Sequence, residues 1–288
     1  MSARVICGDA FQVLPAEQFD VLLCDPPYSS HVHNNAVSCS AVRGTRKRDM
    51  GFGHLTPSLR RQACLLAAQA RRWIVIYSDQ ESTWLWRLGL QAAGAHYIRT
   101  VPWVRWSCPQ ISGDRPPSGC ESVVIAYGSG KGRKHWNGPG NLTHLSHKCR
   151  RGEGKHKAEK PLDQMLDLVS YFSDPGELVL DPFAGSGTTG LACSLLGRNF
   201  IGAEIDPGWA AKAQARIDTR PMSERDAERY ARWQASLAGQ VPKYKQGKAS
   251  STSSSESSIL LTPTAVTEAP QHSATGASPP SRARSPLT

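Results

Sequence analysis

Asp181-Pro182-Phe183-Ala184-Gly185-Ser186-Gly187-Thr188-Thr189 follows the apolar run Leu178-Val179-Leu180 and opens a helical pattern through Leu191, Leu195 and Leu196. A strand, a glycine-rich turn and a helix in that order predict a nucleotide-type binding loop at the carboxyl end of a buried strand. Glycines at 185 and 187 allow the backbone to approach a ligand with no Cβ in the way. The next strand, Phe200 to Ala203, runs into Glu204, nineteen residues beyond Gly185, where a carboxylate can accept both hydroxyls of an adenosine ribose. Gly185, Gly187 and Gly190 also satisfy the dinucleotide fingerprint, so on glycines alone a nicotinamide-binding domain stands level. A phosphate-binding P-loop is disfavoured, because no Lys follows the second glycine.

Outward from this stretch, further apolar runs read as strands: Arg4 to Cys7, Val21 to Cys24, Trp73 to Tyr77 and Val123 to Tyr127. Helical patterns lie between several of them, which predicts a largely parallel sheet in an α/β fold. Leu162, Met165, Leu166, Val169 and Phe172 mark a helix opened by Pro161 and closed before Asp174-Pro175-Gly176. Asp206-Pro207 is a cap followed by a preset first turn. His96 to Trp106 reads as an irregular strand pairing antiparallel with Ser122 to Tyr127, and Pro102 predicts a bulge or an edge.

The second informative stretch is Asp25-Pro26-Pro27-Tyr28, directly after Val21-Leu22-Leu23-Cys24. Alone it could be a proline-rich turn with a capping Asp. Paired with the glycine loop, it acquires a chemical reading. The Asp25 carboxylate and the Pro26 carbonyl can each accept a hydrogen bond, Pro27 stiffens the turn, and Tyr28 offers a ring for stacking.

The two motifs together resemble the amino-methyltransferases of bacterial and phage restriction-modification or orphan systems, the N4/N6 site-specific DNA methyltransferases. The catalytic motif precedes the cofactor motif, as in the circularly permuted β group. His156-Lys157-Ala158-Glu159-Lys160-Pro161 matches that group's H-P-x-x-K-P element, with Lys157 where the family usually has Pro. Gly8-Asp9-Ala10 matches its opening element. The resemblance covers about residues 5 to 212. It implies a Rossmann-like sheet of seven strands, one antiparallel, binding S-adenosylmethionine. Asp9 and Ala10 would approach the cofactor adenine, and Lys160 and Pro161 its carboxylate side. Residues 181–189, Glu204, Ile205 and Asp25 would complete the cofactor site.

Asp25, Pro26, Pro27 and Tyr28 would act on a base flipped out of duplex DNA. Asp rather than Ser in the first position implies N6 of adenine, with N4 of cytosine as the alternative. No metal is called for. Readings from other classes are an RNA or protein methyltransferase, a nicotinamide-dependent oxidoreductase and a non-catalytic DNA-binding protein.

Thirty-four Lys and Arg against 24 Asp and Glu give a formal charge of +10, fitting a polyanionic partner. Residues 131–160 hold nine of these cations and two Glu. This segment fits a target-recognition region at about 129–157, with Arg133, Lys134, Arg150 and Arg151 as DNA contacts and a base-edge reader among the arginines. Arg43, Arg46, Lys47 and Arg48 form a second basic stretch in the loop 29–56 after the catalytic turn. His144, His147, Cys149 and His156 match no paired zinc pattern. His31 and His33 lie near the turn, and Trp84, Trp86, Trp103, Trp106 and Trp136 read as packing residues.

A methyltransferase domain is expected over 1–240, and a disordered Ser/Pro/Thr-rich tail over 241–288. Eight cysteines without a C-x-x-C pair suggest free thiols in a reducing compartment. With no signal-like leader and no long apolar run, a cytoplasmic, nucleoid-associated protein without membrane contact is expected. Dimerisation is frequent in the β group, and the resemblance brings a homodimer into consideration.

Overall fold

The computed structural model describes residues 2–14, 18–34, 37–40, 44–47, 53–106, 119–130, 132, 135–140, 143–148, 159–219 and 222–239. The tail expected over 241–288 lies outside them.

The chain opens with β1 (Ala3–Cys7), α1 (Ala10–Val13), β2 (Val21–Cys24) and α2 (Ser30–Asn34). A small antiparallel pair, β3 (Val37–Ser40) and β4 (Gly44–Lys47), follows within the loop after the Asp25 turn. Next come α3 (Pro57–Ala67), β5 (Trp73–Ser78), α4 (Thr83–Ala92), β6 (His96–Trp106), β7 (Cys120–Tyr127) and β8 (Leu145–Lys148). The final group is α5 (Leu162–Phe172), β9 (Leu178–Asp181), α6 (Thr188–Leu196), β10 (Asn199–Glu204), α7 (Pro207–Asp218) and α8 (Glu224–Gly239).

The main sheet has the order β1-β10-β9-β2-β5-β7-β6-β8. Among its strands β7 alone runs opposite to the rest, antiparallel to both β5 and β6. The sheet thus has eight strands rather than the seven expected. The addition is β8, which pairs parallel to the outer half of β6 from Trp103↔Leu145 to Trp106↔Lys148. Pro102 does not make the bulge; the register shift lies between Tyr97 and Arg99. The ring is accommodated because β8 pairs only from Trp103 onward, so no neighbour on that side asks for the N–H that Pro102 lacks.

β2 and β5 are buried along their whole length, as strands covered on both faces must be. Alternate side chains divide between two cores. Val21, Leu23, Trp73, Val75 and Tyr77 pack with Leu162, Met165, Val169 and Phe172 of α5 and Leu191 of α6. Leu22, Cys24, Ile74 and Ile76 pack with Ala63, Cys64 and Ala67 of α3 and Trp86 and Leu90 of α4. Thr56 and Asp206 cap α3 and α7, each accepting a backbone N–H three residues on and each followed by proline. No helix among the described residues is long and apolar enough to cross a membrane.

This order makes β9 and β2 neighbours. From β2 the chain builds one half of the sheet through β5, β7, β6 and β8, then returns to build β9 and β10 on the other side. The boundary between β9 and β2 is a topological switch point, where crevices form at the carboxyl ends of strands.

Candidate active site

Five parallel strands end at one edge of the sheet: β1 before Gly8-Asp9, β10 at Glu204, β9 at Asp181, β2 before Asp25, and β5 at Ser78. The reversed β7 starts at that edge and places Glu121 there, opposite Trp103. The sheet order therefore brings residues far apart in sequence into one crevice.

The Asp25 turn is held from several sides. Pro26 is buried. The Ser29 N–H donates to Asp79 Oδ2 at 3.2 Å, and the other oxygen of Asp79 accepts the Ser82 N–H at 2.8 Å. Leu55 N–H donates to the Tyr28 carbonyl at 3.0 Å, closing the base of the loop that carries β3 and β4. Asp25 Oδ2 accepts from the Lys160 ammonium at 2.7 Å. Lys160 also lies 3.1 Å from Glu121 Oε2 and donates to the Tyr28 hydroxyl at 3.3 Å, while Tyr28 donates to Glu121. Asp25 Oδ1, by contrast, is buried and has no hydrogen-bond partner among the described residues.

The electrostatics follow from this packing. Burial raises the Asp25 carboxyl above its ordinary value; the Lys160 ammonium opposes the rise and the Glu121 carboxylate adds to it. Burial alone would lower the Lys160 ammonium, but Asp25 and Glu121 outweigh it and hold the charge on. The ammonium also faces the rings of Tyr77 at 4.7 Å, Tyr28 at 5.3 Å and Trp103 at 5.7 Å. With both carboxylates ionised, the Asp25, Glu121 and Lys160 trio carries one net negative charge.

The loop after β9 is fixed just as closely. Burial pushes the Asp181 carboxyl up to about 7, against hydrogen bonds from the Phe183 N–H and the Thr189 hydroxyl. Gly185 and Gly187 both adopt positive φ, at 52° and 76°. A Cβ on Gly187 would meet the Ala213 backbone of α7 at 3.0 Å, so this glycine serves helix packing as well as the turn. Gly190 is also a packing residue, with Ile217 and Phe200 within 2.7 Å of where a Cβ would sit. The Gly185 N–H donates to Glu204 Oε2 and the Asp206 N–H to Oε1, each at 2.9 Å. That orients the Glu204 carboxylate and leaves lone pairs for a further partner. Gly8 N–H donates to the Glu204 carbonyl at 2.9 Å, which sets Asp9, the cap of α1, beside the same strand end. Ile205 next to it is 71% exposed.

The structure thus gathers Asp9, Asp25, Tyr28, Lys160, Asp181, Gly185 and Glu204 at one edge. Lys160, expected on the cofactor's carboxylate side, turns the three donors of its nitrogen to Asp25, Glu121 and Tyr28. Sequence reasoning missed Glu121 and Asp79. It also missed Arg216, which donates to the Ser186 carbonyl at 3.2 Å and Thr188 Oγ1 at 3.0 Å while pairing with Asp226 at 2.8 Å. The available signal for the two carboxylates was an acidic residue at a strand end, for Asp79 after β5 and for Glu121 near the start of β7.

Of the expected DNA contacts, Arg43, Arg48, Arg133, Lys134, Arg150 and Arg151 lie outside the described residues, as do His156 and Lys157. Arg46 and Lys47 are on β4, whose side chains are likewise not described. His147 is buried and bonds to Asp167 at 3.0 Å, and His144 bonds to Thr143. Among the described residues no group of three or more His, Cys, Asp or Glu is placed to hold a metal. Trp86 and Trp103 are buried and Trp136 packs against the core, whereas Trp84 is 58% exposed and is not a core residue.

Residues 59–215 match the N6/N4 family of DNA methylases. The chain belongs to the N6/N4 DNA methylase family. The methylase is 35% identical over 246 residues to the type II methyltransferase M2.DpnII of Streptococcus pneumoniae, covering 74% of this chain and 89% of that protein. A shorter stretch of 52 residues, 18% of this chain and 19% of that protein, is 48% identical to the type II methyltransferase M2.MboI of Moraxella bovis. In fold it is similar to M1.HpyAVI solved with S-adenosylmethionine, with a TM-score of 0.57 at 24% identity over 74% of this chain and 98% of that one. It is also similar to the cytosine-N4-specific PvuII methyltransferase, with a TM-score of 0.55 at 15% identity over 83% and 94%. The protein is a DNA methyltransferase, and the methyl donor of its family is S-adenosylmethionine.

Proposed function

We propose that this methylase modifies N6 of adenine at a specific site in duplex DNA, acting on a base turned out of the helix. The observation that carries the reading is Asp25: one carboxylate oxygen is fixed by Lys160, and the other is buried without a partner among the described residues. An acceptor oriented in this way suits the hydrogen of an exocyclic amine. The amine is a poor nucleophile because its lone pair is delocalised into the ring. Hydrogen bonds to Asp25 Oδ1 and the Pro26 carbonyl would draw the nitrogen toward a tetrahedral shape and aim its lone pair. Tyr28 and the rigid Pro26-Pro27 turn would seat the flipped base.

The residues present fit S-adenosylmethionine. Glu204, already oriented by two backbone N–H groups, would accept the ribose hydroxyls. Asp9 and Ala10 would meet the adenine with exposed Ile205 beside them, and the turn from Asp181 to Thr189 would wall the crevice. When bound, the donor supplies a methyl group already activated on a sulfonium cation. The net negative charge of the Asp25, Glu121 and Lys160 trio favours a cation at that place.

Adenine is favoured by Asp in the first position of the turn. The fold does not choose the base, since the cytosine-N4-specific PvuII enzyme shares it. The order of the two loops, catalytic before donor, supports the permuted β-group arrangement, and a homodimer belongs to the same reading. The test is to incubate the protein with labelled S-adenosylmethionine and mixed-sequence duplex DNA, then digest to nucleosides. Labelled N6-methyladenine is expected, and label in N4-methylcytosine alone overturns the base assignment.

A further inference from the structure

We infer that Glu121 is a positioning residue for methyl transfer, acting through Lys160 and Tyr28 to hold Asp25 with one oxygen engaged and the other presented to the target amine. The inference rests on the proposed role of Asp25 and extends it to a residue on a different strand.

Glu121 lies near the start of β7, the reversed strand, so that its side chain enters the crevice from the half of the sheet opposite β9. Its Oε2 accepts from the Tyr28 hydroxyl and lies 3.1 Å from Lys160 Nζ. The same nitrogen donates to Asp25 Oδ2 at 2.7 Å. Tyr28 and Asp25 belong to one turn, so Glu121 grips that turn twice, directly at Tyr28 and through Lys160 at Asp25. The three charged side chains are 13%, 9% and 20% exposed for Glu121, Lys160 and Asp25, which makes their mutual orientation costly to change.

A second carboxylate is also what keeps this lysine from neutralising the site. Asp25 and Lys160 alone would sum to zero, whereas Glu121 restores one negative charge where a sulfonium and a transiently cationic amine must be accommodated. The groups facing Asp25 are Lys160, Glu121 from β7, Tyr28 and Cys24 from its own segment, and Asp181 from β9. Burial is the main cause of the rise in the Asp25 carboxyl, and the Glu121 carboxylate adds to it.

The test compares Glu121→Gln and Glu121→Asp with the full-length protein in kcat, KM and the pH dependence of kcat, with folding followed by thermal melting. Glu121→Gln removes a like charge from beside Asp25, so the acid limb of kcat should move to lower pH. The plateau should fall as alignment is lost, by up to ~10²-fold. Glu121→Asp keeps the charge and shortens the arm, so it should lose rate with the acid limb in place. A merely structural glutamate would lower the folded fraction without a downward movement of the limb. If Glu121→Gln fails to fold, Glu121→Asp decides: reduced kcat with an unmoved limb supports the inference, and wild-type kcat overturns it. Wild-type kcat and limb in Glu121→Gln overturn it as well. The underlying reading is separated by Asp25→Ala, which should bind S-adenosylmethionine in calorimetry but transfer no methyl. Retained transfer there removes Asp25 from the chemistry, independently of what the Glu121 variants do.

Discussion

Replacing Lys160 by Met keeps an unbranched side chain one atom shorter and removes its charge, leaving Asp25 and Glu121 facing each other. The two oxygens lie 2.7 and 3.1 Å from the same nitrogen, so the carboxylates are within about 6 Å of each other. An ammonium about 4 Å from a carboxylate attracts it by roughly 4 kcal/mol at an effective dielectric of 20. Asp25 keeps 20% of its side-chain exposure, so solvent screening leaves about 2–3 kcal/mol of this. Asp25 must be ionised to accept the amine hydrogen, and activity is lost as pH falls through its titration. In Lys160→Met the acid limb of kcat should therefore move upward, because Asp25 loses the ammonium that lowers its titration, with kcat on the limb down by up to ~10²-fold and restored by raising the pH. The assay is steady-state transfer of tritiated methyl to duplex DNA between about pH 5.5 and about pH 9.5, with donor affinity from calorimetry. Donor affinity should change little. If the variant instead binds S-adenosylmethionine much more weakly while its acid limb stays in place, Lys160 serves the donor carboxylate and the reasoning from its contacts is refuted.

Asp181 carries a stability prediction whose sign is fixed by its burial. With its carboxyl raised to about 7, the folded protein holds a proton that the unfolded chain releases, so this contribution is present at low pH and is lost as pH rises through about 7. Asp181→Asn should flatten that dependence, its melting temperature gaining on wild type between pH 5 and pH 8 by differential scanning fluorimetry in about 0.15 M salt; an unchanging difference argues against it. Gly190→Ala places a Cβ within 2.7 Å of Ile217 and Phe200 and should cost about 1–3 kcal/mol in urea unfolding. A neutral result would mean that α6 shifts freely on β10. Arg216→Ala releases the Ser186 carbonyl and Thr188 from α7, and should raise KM for S-adenosylmethionine about tenfold, roughly 1.4 kcal/mol, with KM for DNA unchanged. A rise in KM for DNA alone would detach that arginine from the donor loop.

Legibility in the sequence followed the range of the interaction concerned. The turns at Asp25 and at Asp181 to Thr189 were readable because each is a contiguous run whose prolines and glycines constrain local backbone, and each follows an apolar strand. β8 was not readable: Leu145-Ser146-His147-Lys148 contains one large apolar residue, and His147 is buried only because Asp167 on α5 receives it. Gly187 and Gly190 could be placed in a ligand loop but not assigned, since what demands their lack of a side chain is α7 for the first and Phe200 with Ile217 for the second. Lys160 shows the limit most clearly. Its motif located it at the start of α5, yet what its ammonium meets depends on Glu121, on a strand whose reversed direction brings its beginning to the edge where the parallel strands end. Had β7 run parallel, that carboxylate would stand at the opposite edge of the sheet and Lys160 would face Asp25 alone. The single antiparallel strand is thus tied to the charge of the site, because it supplies the second negative group that leaves Asp25 both anchored and unneutralised.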